Sequence, residues 1–455
     1  MTLRETAPKL SPEQYEKNFA EISPRMTPRQ AAVEAARCLF CFDAPCTIAC
    51  PTHIDVPAFI KKITTDNLRG SAHVILEANI LGHSCGRVCP TEVLCEGACV
   101  MHEKEEKPIE IGRLQRYAVD HVLDRNIHLF HAGAPNGKRV ALIGSGPASL
   151  ACAAELAKLG YRTTIFDRNE LPGGLDTYGI AAYKLRAKDT MREVELVRGL
   201  GVEIRQKTTV GRDITFAQLE KDFDVIFIGV GLGETGNLGV PGEHLQGVVG
   251  AMEFIEPTKV HPFAQLTIGR RIACIGAGNT AIDVVTAAKR LGAEIVHLIY
   301  RRGEQEMPAF RYEYDLAKLD GVNFHWHAQP VKILGDASGN VAAIECIRTR
   351  TESVGDKKSS QIAVISGSEF QLGVDMVVRA IGQEPVTNFV RAVEGINVRE
   401  NGTIAVNERF QTGNAKYFAG GDCVNGGKEV VDAVAEGMAA ARGIDAWLES
   451  PRAKN

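Results

Sequence analysis

Apolar and polar positions along the chain settle into a repeating order from residue 137 onward. In GKRVALIGSGPASLACAAELAKLGYRTTIFDR (137–168) an apolar β-type run at 140–143 enters a glycine turn, a stretch with helical apolar spacing follows, and a second β-type run ends in an acid. The same order returns in GRRIACIGAGNTAIDVVTAAKRLGAEIVHLIYRR (269–302). Each predicts one βαβ unit, and the linker RNIHLFHAGAPNGK (125–138) marks a domain boundary before the first. Further β-type runs stand in FDVIFIGVGLGE (223–234), in DMVVRAIGQEP (375–385) and at 416–419, and an alanine-rich helix is expected from about Lys428. His325-Trp326-His327 alternates as on a strand and reads as structural.

A chain of 455 residues predicts three domains, give or take one, at roughly 100 to 200 residues each. With 45% hydrophobic and 24% charged residues it is neither disordered nor fibrous. The 52 basic and 56 acidic residues leave a formal charge of -4, so no broad basic field invites nucleic acid or anionic lipid. The polar start and the charges that interrupt every apolar stretch predict no membrane span and a soluble, cytoplasmic protein. In that compartment twelve cysteines are not expected to be structural disulfides. Eight of them fall between Cys38 and Cys99, which places a cysteine-rich module ahead of the two βαβ units.

A glycine turn between strand and helix suits a pyrophosphate: the first Gly makes the turn, the second admits the phosphate, and the helix N-terminus offers unpaired N–H groups. Candidates in the first unit are Gly144, Ser145, Gly146, Pro147 and Ala148, with Ser149 in the third glycine's place; in the second they are Gly276, Ala277, Gly278, Asn279 and Thr280, followed by Ala281. Asp167, 21 residues after Gly146, can accept hydrogen bonds from a ribose 2'-OH, as FAD or NAD requires. The second unit ends instead in Tyr300-Arg301-Arg302, where a guanidinium suits a 2'-phosphate. The first site therefore reads as FAD and the second as NADP(H); a solvated charge pair is the blander reading of Arg301 and Arg302, and leaves NAD(H) open.

Spacing also bears on the cysteines. The first run is Cys38-x2-Cys41-x4-Cys46-x3-Cys50-Pro51 and the second Cys85-x3-Cys89-x5-Cys95-x3-Cys99. A zinc ribbon would show paired C-x2-C knuckles, and only one such pair is present. The first run looks like the bacterial ferredoxin pattern, in which the cysteine before proline serves a different cluster from the first three. Two clusters and about eight ligands follow.

YFAGGDCVNGGKEVV (417–431) resembles the closing motif of flavoproteins with two dinucleotide sites, and PGGLDTYGIAAYKL (172–185) resembles their loop beside the flavin. This likeness implies that Asp422 bonds the FAD ribitol and that Gly421, Glu429, Val430, Gly173, Gly174 and Leu175 also border the FAD. It further implies that the FAD domain is split by the NADP domain, the segments at 223–234 and 375–385 being the crossovers. The order of cysteine module, FAD unit and NADP unit is shared by the glutamate synthase small subunit and the N-terminal half of dihydropyrimidine dehydrogenase. CLFCFDAPCTIACPTHIDVPAFI, CGRVCPTEVLCEGAC and PIEIGRLQRYA resemble the latter, whereas YRRGEQEMPAF (300–310) is more like the synthase subunit.

The resemblance implies an α/β protein in which a helical domain with two [4Fe-4S] clusters (1–136) precedes two Rossmann-like domains, one for FAD (137–242 and 384–455) and one for NAD(P) (243–383). Carried over position by position, one cluster takes Cys38, Cys41, Cys46 and Cys99, and the other Cys50, Cys89, Cys95 and Gln115, which leaves Cys85 without iron. No roughly 250-residue barrel for an FMN and a pyrimidine follows in this sequence. The chain thus resembles the PreT-like electron-input subunit of a hetero-oligomer. It would oxidise NAD(P)H at FAD and feed an FMN- and iron–sulfur-containing large (PreA-like) subunit that reduces uracil or thymine; the alternative is the small subunit of glutamate synthase or a related reductase. A non-enzymatic iron–sulfur scaffold would not need two dinucleotide units. No acid–base residue of this chain is expected to be catalytic, because hydride passes directly from nicotinamide to flavin.

Overall fold

A computed structural model describes residues 3–353 and 360–450. The chain forms two compact units. The larger comprises Ile22–Thr177, Lys184–Gly233 and the chain from Pro385 onward; the smaller holds the described residues up to Glu21, Tyr178–Tyr183 and Glu234–Glu384.

At the centre of the larger unit lies a five-stranded parallel sheet in the order Tyr417–Ala419, Val225–Ile228, Arg139–Ile143, Arg162–Phe166, Glu203–Arg205. Its inner strands are buried on both faces, as a helix-covered parallel sheet demands, two of them as apolar runs and Arg162–Phe166 with Thr163 and Thr164 among its buried positions. Helix Pro147–Lys158 leaves Gly146 and crosses to the next strand; the C-terminal helix Val430–Leu448 packs against it. That packing is close enough to dictate sequence. A Cβ on Gly437 would stand 2.1 Å from the carbonyl oxygen of Ala148, so only glycine fits there.

The same unit contains the cysteine module, built on helices Pro28–Ala36, Val56–Thr64, Leu68–Ala78, Gly82–Val88 and Ile111–Asp124. Thr27, Asp55 and Asn67 cap the first three with side-chain oxygens that accept backbone N–H bonds. Phe59, Ile60, Ile75, Leu76 and Leu114 form their core, together with Cys50, Cys85 and Cys99. Val431 belongs to this core and Val430 packs against it, so the first turn of the C-terminal helix is shared between sheet and cysteine module.

The smaller unit has its own five-stranded parallel sheet, ordered Val248–Gly250, Met376–Arg379, Arg271–Ile275, Ile295–Ile299, Asn323–His325. A four-stranded antiparallel sheet of Ala328–Gly335, Val341–Ser353, Ser360–Val364 and Phe370–Gly373 joins it, an element the apolar pattern did not announce. These strands expose one face; Phe370–Gly373 alternates between half-buried and exposed, and many of their outward positions are charged. The residues before Glu21 belong here: Ala7 N–H donates to the Ile268 carbonyl at 3.0 Å, and Phe19 stacks on Phe263 with ring centroids 4.0 Å apart. Glu384 N–H donates to the Glu234 carbonyl and Gly236 N–H to that of Gly382, so the two crossover segments pair with each other. Among the described residues no helix is long and apolar enough to cross a membrane.

Candidate functional site

The first glycine turn is enclosed by glycines on other segments. A Cβ on Gly144 would lie 2.5 Å from the Gly229 carbonyl oxygen, and one on Gly174 would lie 2.7 Å from Cα of Gly146. Gly421, with φ +79°, would set a Cβ 3.0 Å from that of Ala148. The structure thus gathers Gly144, Gly146, Ala148, Gly174 and Gly421 around the open N-terminus of helix Pro147–Lys158, where Gly146 provides no side-chain cap. Leu175 starts the short helix Leu175–Tyr178, and Gly173 N–H donates to the Ser145 hydroxyl at 3.1 Å.

Asp167 sits at the end of its strand, buried, with both carboxylate oxygens engaged. Oδ2 accepts from Ser145 N–H at 2.7 Å and from the Ser145 hydroxyl at 2.5 Å; Oδ1 accepts from Asn169 N–H at 2.7 Å. The acid therefore braces the glycine turn, and Oδ1 keeps a lone pair that a ribose hydroxyl could use.

At the other end of the cradle, Asp422 opens the short helix Asp422–Asn425 and accepts from Lys428 N–H at 3.3 Å. Burial pushes its carboxyl above the usual range, an environment that favours a hydroxyl donor beside it. Glu429 is the N-cap of helix Val430–Leu448 and its N–H donates to Asp432 at 3.3 Å. Sequence reasoning missed Glu436, whose carboxylate accepts from Gly421 N–H at 2.7 Å and from Asn425 Nδ2 at 3.1 Å, clamping the turn before and after Asp422. No local motif signals it.

The second glycine turn is tight at its first glycine and open at its second. A Cβ on Gly276 would meet the Ala380 carbonyl oxygen at 2.1 Å, whereas one on Gly278 would meet nothing within 4 Å. Helix Asn279–Arg290 starts there without a side-chain cap, Thr280 in its first turn. Phe310 N–H donates to Asn279 Oδ1 at 3.0 Å, and Ala309 N–H to the Ala277 carbonyl, so the segment after the arginines folds back over the turn. Arg301 is exposed, and among the described residues no carboxylate pairs with it. Arg302 instead lies 3.3 Å from Glu306, which also accepts from Gly303 N–H and the Thr351 hydroxyl.

In the cysteine module, Cys38, Cys41, Cys46 and Cys99 line one cavity with Ile60 and Met101. Burial, and the neighbouring thiols, raise Cys38 and push Cys46 up to about 11. Cys89 feels Cys85, Cys95 and Cys50, and Cys95 feels Cys50 as well, so these thiols form a second group; a hydrogen bond that the Cys89 thiol donates to Cys85, and burial, raise Cys89. Asn79 Nδ2 donates to Cys85 Sγ at 3.2 Å. Gln115 is buried on the adjacent helix, its Nε2 donating to the Gly82 carbonyl at 2.7 Å, which leaves its Oε1 as the amide's free ligand atom. Thiols held protonated by burial become thiolates against the positive charge of a metal, so both donor groups suit iron–sulfur clusters. Among the described residues no three His, Cys, Asp or Glu side chains converge as one small ion requires. A cubane takes its ligands at separate corners and has no such requirement.

Residues 15–127 match the family model for dihydropyrimidine dehydrogenase domain II, 4Fe-4S cluster, and residues 138–437 that for pyridine nucleotide-disulphide oxidoreductases. The chain is 36% identical over 446 residues to the glutamate synthase [NADPH] small chain of Escherichia coli, covering 95% of this chain and 94% of that one. It is 32% identical over 430 residues to an NAD-dependent dihydropyrimidine dehydrogenase subunit PreT homolog of Salmonella typhi, covering 94% and 97%. Among solved structures, Mycobacterium tuberculosis FprA in complex with NADPH superposes with a TM-score of 0.57 at 19% identity over 68% of this chain and 85% of FprA, a likeness of fold.

Proposed function

Because the chain belongs to the pyridine nucleotide-disulphide oxidoreductases and joins that fold to a 4Fe-4S domain of the dihydropyrimidine dehydrogenase type, it is an FAD- and iron–sulfur-dependent oxidoreductase, and we propose that it is the cytoplasmic electron-input subunit of a hetero-oligomeric pyrimidine reductase. When bound, FAD supplies the exchange between a two-electron hydride and the single electrons that iron–sulfur clusters carry.

The protein's own part is placement. The first glycine turn and the bare N-terminus of helix Pro147–Lys158 hold the FAD pyrophosphate, Asp167 a ribose, and Asp422 the ribitol, while Gly173, Gly174, Leu175, Glu429 and Val430 border the cofactor. Gly276 through Thr280 receive the nicotinamide dinucleotide, and Arg301 offers its unpaired guanidinium to a 2'-phosphate. Cys38, Cys41, Cys46 and Cys99 hold one cluster; Cys50, Cys89, Cys95 and Gln115 hold the other.

The observation that carries an outward electron route is the shared core at Val430 and Val431: the helix that starts beside the flavin site begins inside the cysteine module. The match of residues 15–127 to the dihydropyrimidine dehydrogenase domain favours uracil or thymine as the final acceptor at an FMN-containing partner subunit. A second reading, the glutamate synthase small subunit, is favoured by the higher identity to that chain. The chain that copurifies decides: the leading reading expects a partner with FMN that reduces uracil when NADPH is supplied, and a partner that instead forms glutamate would replace it. Within this chain, Cys50→Ser or Cys95→Ser should stop delivery to the partner while NADPH-dependent dye reduction at the FAD persists.

A further inference from the structure

Glu193 is fully buried on helix Ala187–Arg198, and its partners are the residues of a distant segment. Oε1 accepts from His83 N–H at 2.7 Å and Ser84 N–H at 3.0 Å, and Oε2 accepts from the Ser84 hydroxyl. These donors are the first free N–H groups of helix Gly82–Val88, whose N-cap residue, Leu81, supplies no side-chain acceptor. An in-chain Ser or Asn would satisfy such donors without burying a carboxylate, which costs several kcal/mol unless it is well paired. The acid is therefore an expensive way to cap a short helix, and what that helix carries accounts for its placement.

Gly82 opens the helix and its carbonyl accepts from Gln115 Nε2 at 2.7 Å. Cys85 lies in the middle, and Cys89 is the C-cap residue. Gly82 packs closely against helix Leu68–Ala78, since a Cβ there would stand 2.6 Å from Ile75 Cγ2. Fixing the first turn of this helix fixes the carbonyl that sets the direction of the Gln115 amide, and at the other end it fixes Cys89. His83 is turned to Asp120, its Nε2 2.9 Å from Oδ1; Arg87 pairs with Asp120 and Asp189; Arg192 reaches Asp124 at 2.6 Å. Burial raises the Glu193 carboxyl to about 7, against the hydrogen bonds from Ser84 and His83 and the attraction of Arg87.

We propose that Glu193 is a positioning residue for the Gln115-bearing cluster site, holding the Gly82 turn that orients the Gln115 oxygen and placing a negative charge in the interior behind that site. The proposal rests on the ligand set given above. A negative charge nearby stabilises the oxidised form of a cluster, so its removal makes reduction easier.

The test uses the full chain, loaded with FAD and iron–sulfur clusters, in Glu193→Gln and Glu193→Ala variants, read by iron content, by the spectroscopic signature of each reduced cluster, and by redox titration at about pH 8.5, where the wild-type carboxylate is ionised. Gln keeps one oxygen to accept from the two N–H groups, loses the charge, and presents to the Ser84 hydroxyl an amide NH2 that can donate to it instead of accepting from it. It should retain about eight irons per chain and shift one cluster to a more positive potential, the other staying in place. Ala should lose about half of the iron and one of the two signatures. Unchanged potentials in the Gln variant, or equal shifts of both clusters, would overturn the proposal even if the Ala variant fails to fold. Gln115→Leu and Cys85→Ser, measured alongside, test the ligand set separately: full iron in the first with loss in the second rejects that set, whatever Glu193 does.

Discussion

Where the first glycine turn has Gly174 pressed onto Gly146 and Gly421 onto Ala148, the second has at Gly278 a position with no protein atom within 4 Å of a would-be Cβ. The contrast extends to the strand ends. Asp167 is buried and spends its carboxylate on Ser145 and Asn169, while Arg301 stands exposed. Two turns with one sequence grammar are thus finished differently: the first is walled by neighbouring segments and braced by an internal acid, which suits a nucleotide that stays, and the second is left open on its ligand side, which suits one that comes and goes.

The largest expected effect tests the walls. Gly437→Ala drives a methyl into the Ala148 carbonyl and should destabilise the larger unit by about 3 kcal/mol or more, seen as a lower unfolding temperature and loss of yellow colour. Gly278→Ala should unfold like the parent and weaken only nicotinamide binding; if it destabilises as much as the first, the contrast between closed and open turns fails. Next, Asp422→Ala removes the carboxylate proposed to bond the ribitol and should weaken FAD retention roughly 10- to 100-fold, at about 1.5 to 3 kcal/mol for a charged hydrogen bond. Full FAD occupancy with unchanged dye reduction would remove Asp422 from that site.

A comparable loss is expected at the open turn, but confined to one coenzyme. Replacing Arg301 and Arg302 together by serine should lower kcat/KM for NADPH roughly 10- to 100-fold and spare NADH. Arg301→Ser alone should account for most of this, because Arg302 already shares its charge with Glu306. A parent that uses NADH better than NADPH would show the arginines to be surface charges. The smallest effect belongs to Ser145→Ala, which strips one donor, the hydroxyl, from Asp167 and one acceptor from Gly173 while the backbone N–H bond to Asp167 stays; about 1 kcal/mol of stability should go, measured by denaturant titration of the holoprotein.

The positions of both turns, the strands that flank them and the cysteine module were legible because each is a local pattern, a β-type run, a glycine, a helix, a cysteine at fixed spacing, whereas the three-residue edge strands Glu203–Arg205 and Val248–Gly250 were too short to stand out. The residues that finish the sites were not. Glu193 lies 109 residues from Ser84, and Glu436 acts on Gly421 from a different helix, so no window of sequence contains both partners. The four-stranded antiparallel sheet was missed for a related reason. Its strands expose one face, and polar residues on that face break up the apolar runs by which the parallel strands were found.

Val431 sits in the hydrophobic core of the cysteine module and Val430 packs against it although their helix belongs to the sheet, and Ile80 and Leu81 of the module lie in the core of the sheet. Each fold lends the other apolar side chains that it cannot bury alone. The cysteine segment is therefore no detachable bead on a linker. Excision at the 125–138 boundary would leave an oily scar beside helix Val430–Leu448, so the two parts must mature as one body, and a chain that failed to acquire its iron would imperil the parallel-sheet half as well.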